Sequence, residues 1–172
     1  MLKRIIRSVL ILMLVCLTAY YFFPESKLPA NAVIDNIIVL KSHKQLLAYS
    51  ESQLIKTYII SLGFCPVGKK AIEHDGKTPE GKYFINAKNP HSVCHKNLGI
   101  SYPAKADIAK AKQLNMPPGG DIKIHGLSNG AGFVSKFHRW YNWTDGCIGL
   151  TDTEIDDLYA HTPIGTPIEI RP

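Results

Sequence analysis

Two residues in this chain carry the types and placement that nucleophilic chemistry needs. His125-Gly126 closes the apolar run Asp121-Ile122-Lys123-Ile124-His125, and 22 positions later Cys147 stands inside Thr144-Asp145-Gly146-Cys147-Ile148-Gly149-Leu150. A thiol is a strong nucleophile once deprotonated, and an imidazole distant in sequence but near in space can take its proton. Alternation along residues 121–125 puts Ile122 and Ile124 on one face and Asp121, Lys123 and His125 on the other, so His125 is expected to turn away from the packed side. Gly146 lets the backbone turn tightly at the thiol. Thr151-x-x-Glu154 is a capping box that starts a helix four residues past Cys147, with Ile155, Leu158 and Tyr159 as its apolar stripe. If the helix N-terminus points at the sulfur, it should lower the thiol pKa.

The elements that must position this pair read as mainly β. Val33–Leu40, Gln45–Tyr49 and Leu54–Leu62 are apolar, β-branched or aromatic runs separated by polar turns, and their short spacing predicts an antiparallel meander. Asp75-Gly76 and Pro79-Glu80-Gly81 are turn sequences, and strand resumes at Tyr83–Ile85. Asn86–His95 reads as an irregular loop carrying His91, Cys94 and His95. Leu98–Pro103 reads as strand, Ala104–Leu114 as helix and Thr166–Ile170 as a closing strand. Leu127–Trp143 is a 17-residue connection rich in glycine and aromatics, expected to be a loop that acts as a lid or binding surface.

Composition excludes some functions. The chain has 172 residues and a formal charge of +6, but residues 1–32 contribute +3 of this through Lys3, Arg4, Arg7 and Lys27 against Glu25. A folded part carrying so little excess charge, with its lysines spread out, offers no track for a nucleic-acid backbone. No C-x-x-C pair occurs, so a metal site is not expected, and no cofactor is implied. Lys3, Arg4 and Arg7 precede an apolar run from Ser8 to Phe23, the pattern of an exported segment. Residues 1–32 are therefore expected to be an inner-membrane anchor spanning residues 5–23, or a signal peptide cut after Ala30-Asn31-Ala32, with residues 33–172 as one catalytic domain in the cell envelope. Cys65 and Cys94 could then form a disulfide in that oxidising compartment.

Ile124-His125-Gly126 and Thr144-Asp145-Gly146-Cys147-Ile148-Gly149-Leu150-Thr151, together with Gly68-Lys69, Asp75–Tyr83, Ser101-Tyr102-Pro103 and Pro118–Asp121, resemble the YkuD-type L,D-transpeptidase catalytic domain over about residues 35–171. The resemblance implies a β-rich, sandwich- or barrel-like fold with one or two short helices, and an exported enzyme that remodels peptidoglycan stem peptides. It also implies that Cys147 forms a thioester, that His125 shuttles the proton, and that the backbone N–H groups of Gly146 and Cys147 hold the oxyanion. Tyr102, Gly126, Phe137, His138, Trp140, Tyr141, Thr144 and Asp145 are expected to contact substrate. This chain departs from the family pattern at Asp145, where a second histidine is common, and at Gly149, where arginine or alanine is common. Its spacer is also longer than in many members. A hydrolase using the same thioester with water as acceptor, acting on stem peptides or a lipoprotein link, and a non-catalytic wall-binding module are the alternative readings.

Overall fold

Alternating burial along short β-branched runs sets the architecture. The computed structural model describes residues 1–172. Eight strands, β1 (Asn36–Leu40), β2 (Gln45–Ser50), β3 (Gln53–Ile59), β4 (Gly81–Ser92), β5 (His95–Ile100), β6 (Lys123–His125), β7 (Ile148–Gly149) and β8 (Pro167–Arg171), form one sheet in the order β3-β2-β1-β8-β4-β5-β6-β7. Ile37 and Val39 of β1 pair with Ala48 and Leu46 of β2, and all four are fully buried on one face. The expected antiparallel meander β1-β2-β3 is present. The last strand, β8, returns to the middle, parallel to β1 and antiparallel to β4. Bridges Ser61↔Gly149 and Gly63↔Thr144 join the chain just after β3 to the far edge, so the sheet curls until its two ends meet beside the Cys147 turn.

Three helices complete the chain: α1 (Leu2–Phe22), α2 (Lys105–Gln113) and α3 (Asp152–His161). The Thr151–Glu154 capping box forms as expected. Ile155 and Leu158 of α3 join the 22-residue core with Ile124, Ile148 and Leu150. Each such side chain, fully withdrawn from water, contributes on the order of 1.5–3 kcal/mol, more than a net hydrogen bond of about 1 kcal/mol. The short strands β6 and β7 are thus held mainly by their inward face, which leaves the other face free for chemistry. α1 buries no residue. At 1.5 Å per residue its 21 residues extend about 31 Å, close to the thickness of a bilayer's hydrocarbon core.

Three expectations change. Residues 86–95 are not an irregular loop: β4 runs on to Ser92 and pairs back with β5, as Ala87↔Gly99, Lys88↔Leu98 and Asn89↔Asn97, through two register shifts. Polar residues and Pro90 hide this hairpin because its far end is largely exposed on both faces and needs no apolar alternation. Residues 127–143 are not structureless either. Gly132–Trp140 is a 3₁₀ segment broken at Ser135, whose φ is +44°. The pairing of Cys65 with Cys94 is absent, since both are free thiols and Cys94 instead lies 3.9 Å from Ser128 Oγ.

Candidate active site

Parallel pairing places the two candidate residues on one face of the sheet. Ile124 opposes Ile148 and His125 opposes Gly149 across β6 and β7. With both isoleucines in the core, Lys123, His125, Cys147 and Gly149 share the opposite face, and His125 is the diagonal neighbour of Cys147. Diagonal positions on a sheet face lie about 7–8 Å apart, within reach of two side chains that lean toward each other. His125 does face away from Ile122 and Ile124, but it is not open to solvent, being 7% exposed.

Nδ1 of His125 lies 2.7 Å from the Gly126 carbonyl oxygen. A carbonyl only accepts, so Nδ1 carries the proton and Nε2 is the basic nitrogen. Burial lowers the His125 pKa below the ordinary 6.5, the Gly126 carbonyl pulls it partly back, and Lys123 lowers it again. Burial also raises the Cys147 pKa above 9.0; the Lys123 N–H opposes this and the Asp121 charge adds to it. The sulfur lies 3.7 Å from the Asp121 carbonyl, to which the thiol can donate. The resting pair at pH 7 is therefore neutral thiol and neutral imidazole. The expected lowering of the thiol by the α3 N-terminus does not occur. Two of the donors there are occupied within the turn, with Glu154 Oε2 accepting from Thr151 N–H and Thr151 Oγ1 accepting from Glu154 N–H. Asp152 sits in the same turn and accepts from Leu127 N–H.

The Cys147 turn is held by Thr144, which donates through Oγ1 to the Cys147 carbonyl at 2.7 Å and accepts from Gly146 N–H at 3.2 Å. Gly146 has φ +118°, and a Cβ there would fall 2.5 Å from the Lys77 carbonyl, so only glycine fits. Gly146 N–H is thus engaged and is not a free oxyanion donor. Cys147 N–H makes no hydrogen bond within the chain and can serve. Thr144 thus acts as a clamp on the turn. Asp145, exposed, accepts from or pairs with His74 Nδ1 at 2.9 Å.

Trp143, which the sequence did not single out, covers the base. Its indole meets the His125 ring edge-on at 5.5 Å and the His138 ring at 6.4 Å. Gly149 makes this possible, because a Cβ there would lie 2.9 Å from Trp143 Cζ2. The departure from the family pattern at Gly149 is therefore a space that an indole occupies. Gly149→Ala should push the indole aside, cost about 1–3 kcal/mol of stability as overpacking does, and let water reach His125. The His125 pKa, followed by NMR titration, should then rise toward 6.5; an unchanged value would show that the indole is not what keeps the ring dry.

The other expected contacts divide. His138 is 1% exposed, and its Nδ1 lies 3.1 Å from Ser61 Oγ while Nε2 has no partner. Burial, then Arg139, Lys44 and His125, push its pKa down to about 4, so it is neutral near pH 7. A small cleft of about 170 Å³ between Leu127, Val134, His138, Tyr141 and Trp143 opens beside it. Tyr102 is buried, packs edge-on against Tyr83 and donates to the Pro118 carbonyl, which is a structural role. Gly126 permits a close approach, since a Cβ would lie 2.7 Å from Asp152 Oδ1. Phe137 and Trp140 pack on Tyr20 of α1 and not on the Cys147 turn.

A thiol in the turn just before β7 and an imidazole at the end of β6 thus share one face at the closing seam of a curled sheet. The chain belongs to the YkuD L,D-transpeptidase catalytic domain family, whose model matches residues 35–170. Comparison with curated proteins gives no match. Among solved structures, the chain is similar to the helical cell shape determining protein Pgp2 from Campylobacter jejuni, with 22% identity over 82% of this chain and 48% of that one, and a TM-score of 0.59. Bd1075 from Bdellovibrio bacteriovorus has 22% identity over 85% of this chain and 54% of its own, with a TM-score of 0.55. An L,D-transpeptidase from Xylanimonas cellulosilytica has 15% identity over 90% and 68%, with a TM-score of 0.54. At these identities the likeness is one of fold. The chain spans about half the length of the Pgp2 and Bd1075 structures.

Proposed function

We propose that this protein is a cysteine acyltransferase acting on peptidoglycan stem peptides outside the inner membrane. The observation that carries the reading is the placement of His125, with its Nδ1 proton fixed on the Gly126 carbonyl, diagonal to Cys147 on one sheet face. In the first half-reaction Nε2 of His125 takes the thiol proton as Sγ attacks the amide carbonyl between an L-centre diamino acid and the following D-alanine. Cys147 N–H stabilises the oxyanion. The C–N bond then breaks, His125 returns the proton to the departing amine, and D-alanine leaves a thioester behind. In the second half-reaction an incoming amine, or water, gives a proton to His125 and attacks the thioester, and the thiolate departs and is reprotonated. The family's chemistry and the basic residues Lys3, Arg4 and Arg7 at one end of α1, which favour the cytoplasmic side, support both substrate and location.

Incubation with a carbapenem, followed by intact-mass measurement, should show one covalent adduct, lost in Cys147→Ala. A wild-type chain that gains no mass refutes acyl transfer in favour of a wall-binding module. With disaccharide-tetrapeptide as substrate, crosslinked dimers identify an amine acceptor, and free tripeptide with D-alanine identifies water.

A further inference from the structure

The 3₁₀ segment presents a second face that the Cys147 site does not use, and this face receives the end of α1. The Tyr20 ring lies 5.9 Å from Phe137 and 6.3 Å from Trp140, Tyr21 lies 5.6 Å from Phe137, and Phe137 lies 4.8 Å from Trp140. Tyr21 O–H donates to the Phe133 carbonyl at 2.8 Å. Beneath the rings, Lys136 is 5% exposed and donates to the carbonyls of Tyr20 and Phe23, groups that a helix end leaves without partners. Glu25 lies 3.2 Å from Lys136 and 2.9 Å from Arg139. Its own burial raises its pKa, but hydrogen bonds and charge from Arg139 and Lys136 outweigh this and hold the carboxyl below its usual range. Three residues on, Leu28 enters the core and its N–H donates to Asp157. Residues 20–28 are thus built into the folded domain. Cleavage after Ala32 would remove the acceptors of buried Lys136 and one of the two carboxylates that hold Arg139, and would uncover part of the core.

The outward edges of the same cluster are bare. Phe133 is 75% exposed, Trp140 63%, Tyr141 58%, Phe22 74% and Phe23 72%. They lie around the end of a helix of membrane-spanning length and composition that buries no residue. We infer that α1 is retained as an anchor and that Phe133, Trp140 and Tyr141, with Phe22 and Phe23, seat the domain on the headgroup boundary of the bilayer that α1 crosses. The occupant is a lipid surface because the apolar span ends at Phe22, so the boundary plane passes through these rings, and tryptophan and tyrosine favour that plane. The seated face belongs to the segment that also carries His138 and leads through Tyr141 to Trp143, so the roof over His125 is joined to it by two residues of chain.

The full chain in phosphatidylethanolamine/phosphatidylglycerol vesicles tests this through tryptophan fluorescence, with lipids brominated near the headgroup as quencher. Trp140 and Trp143 are the only tryptophans. Brominated lipid should quench wild-type and Trp143→Phe chains strongly, with the loss reduced by about twofold or more in Trp140→Phe. Quenching that is absent, or undiminished in Trp140→Phe, overturns the seating. Emission of Trp140 that shifts with protein concentration while lipid leaves it unquenched would assign the face to a second copy and also overturn it. Mass spectrometry of the chain recovered from cell membranes should show residues 1–32 present; a mature N-terminus at Val33 overturns retention. None of these readouts needs acyl transfer, and Cys147→Ala should quench like wild type.

Discussion

Replacing His125 with asparagine should slow acylation of Cys147 at pH 7 by about 10²–10⁴-fold, the usual worth of a positioned general base. The protonation states make the effect large. Burial lifts the thiol above 9.0, so very little thiolate exists at neutral pH and the imidazole must remove the proton as the bond forms. Burial likewise lowers His125 below 6.5, so the base stays unprotonated through neutrality. A base with a depressed pKa loses activity only as pH falls through that lowered value. The acid limb of the wild-type profile should therefore lie below pH 6.5, with a plateau across neutrality. His125→Asn should have no plateau. Its rate should climb about tenfold per pH unit toward the thiol pKa, because only preformed thiolate can react. Intact-mass kinetics of acylation from pH 5 to 10 measure both profiles. If His125→Asn keeps the wild-type rate at pH 7, His125 is not the base, whatever its position.

The parts of this site that residue spacing discloses are those set by backbone geometry. Ile122, Ile124 and His125 reveal a strand with one apolar face because alternation has a period of two. Thr151 and Glu154 reveal the helix start because a capping box is local. Gly146 reveals a tight turn for the same reason. What stays hidden depends on distant partners. Trp143 adjoins the Cys147 turn in sequence, but its role arises from the missing Cβ of Gly149 on another strand. The pKa of Cys147 follows how deeply the turn is buried and not the proximity of a helix end in sequence, so the expected direction is reversed. The long β4–β5 hairpin is invisible to alternation because its far end has no dry face. The aromatics of residues 133–141 stand out in composition, but only the fold shows that Phe137 and Trp140 turn toward α1. Lys136 and Arg139 look like solvated charges on a loop, whereas both are buried beside carboxylates.

Arg139 supports the second large prediction, because it ties three separate parts of the chain together. Its Nη2 lies 2.9 Å from Glu25 in the segment after α1 and 2.7 Å from Glu154 in the first turn of α3, while the residue itself sits at the end of the 3₁₀ segment. Glu154 is 2% exposed. Its other oxygen already accepts from Thr151, so removal of the guanidinium leaves a buried carboxylate with Oε1 unpartnered. Arg139→Met keeps most of the side-chain volume and should cost about 3–5 kcal/mol, the usual penalty for breaking one side of a buried ion pair. In a chain of this size that lowers the melting temperature by roughly 10 °C. Adding Glu154→Gln removes the stranded charge while an amide oxygen can still accept from Thr151 N–H. The double variant should therefore recover about 1–3 kcal/mol relative to Arg139→Met, although both lack the ion pair. Urea denaturation of the wild type, both single variants and the double variant measures this coupling. If the double variant is no more stable than Arg139→Met, loss of packing around the guanidinium, and not the buried carboxylate, accounts for the destabilisation. The same variants should also loosen the end of the 3₁₀ segment from which the chain leads on to Trp143 over His125. Acylation by Arg139→Met measured well below its melting temperature should then fall with the recovery of the double variant mirrored in rate, which connects the anchor-side ion pairs to the chemistry at Cys147.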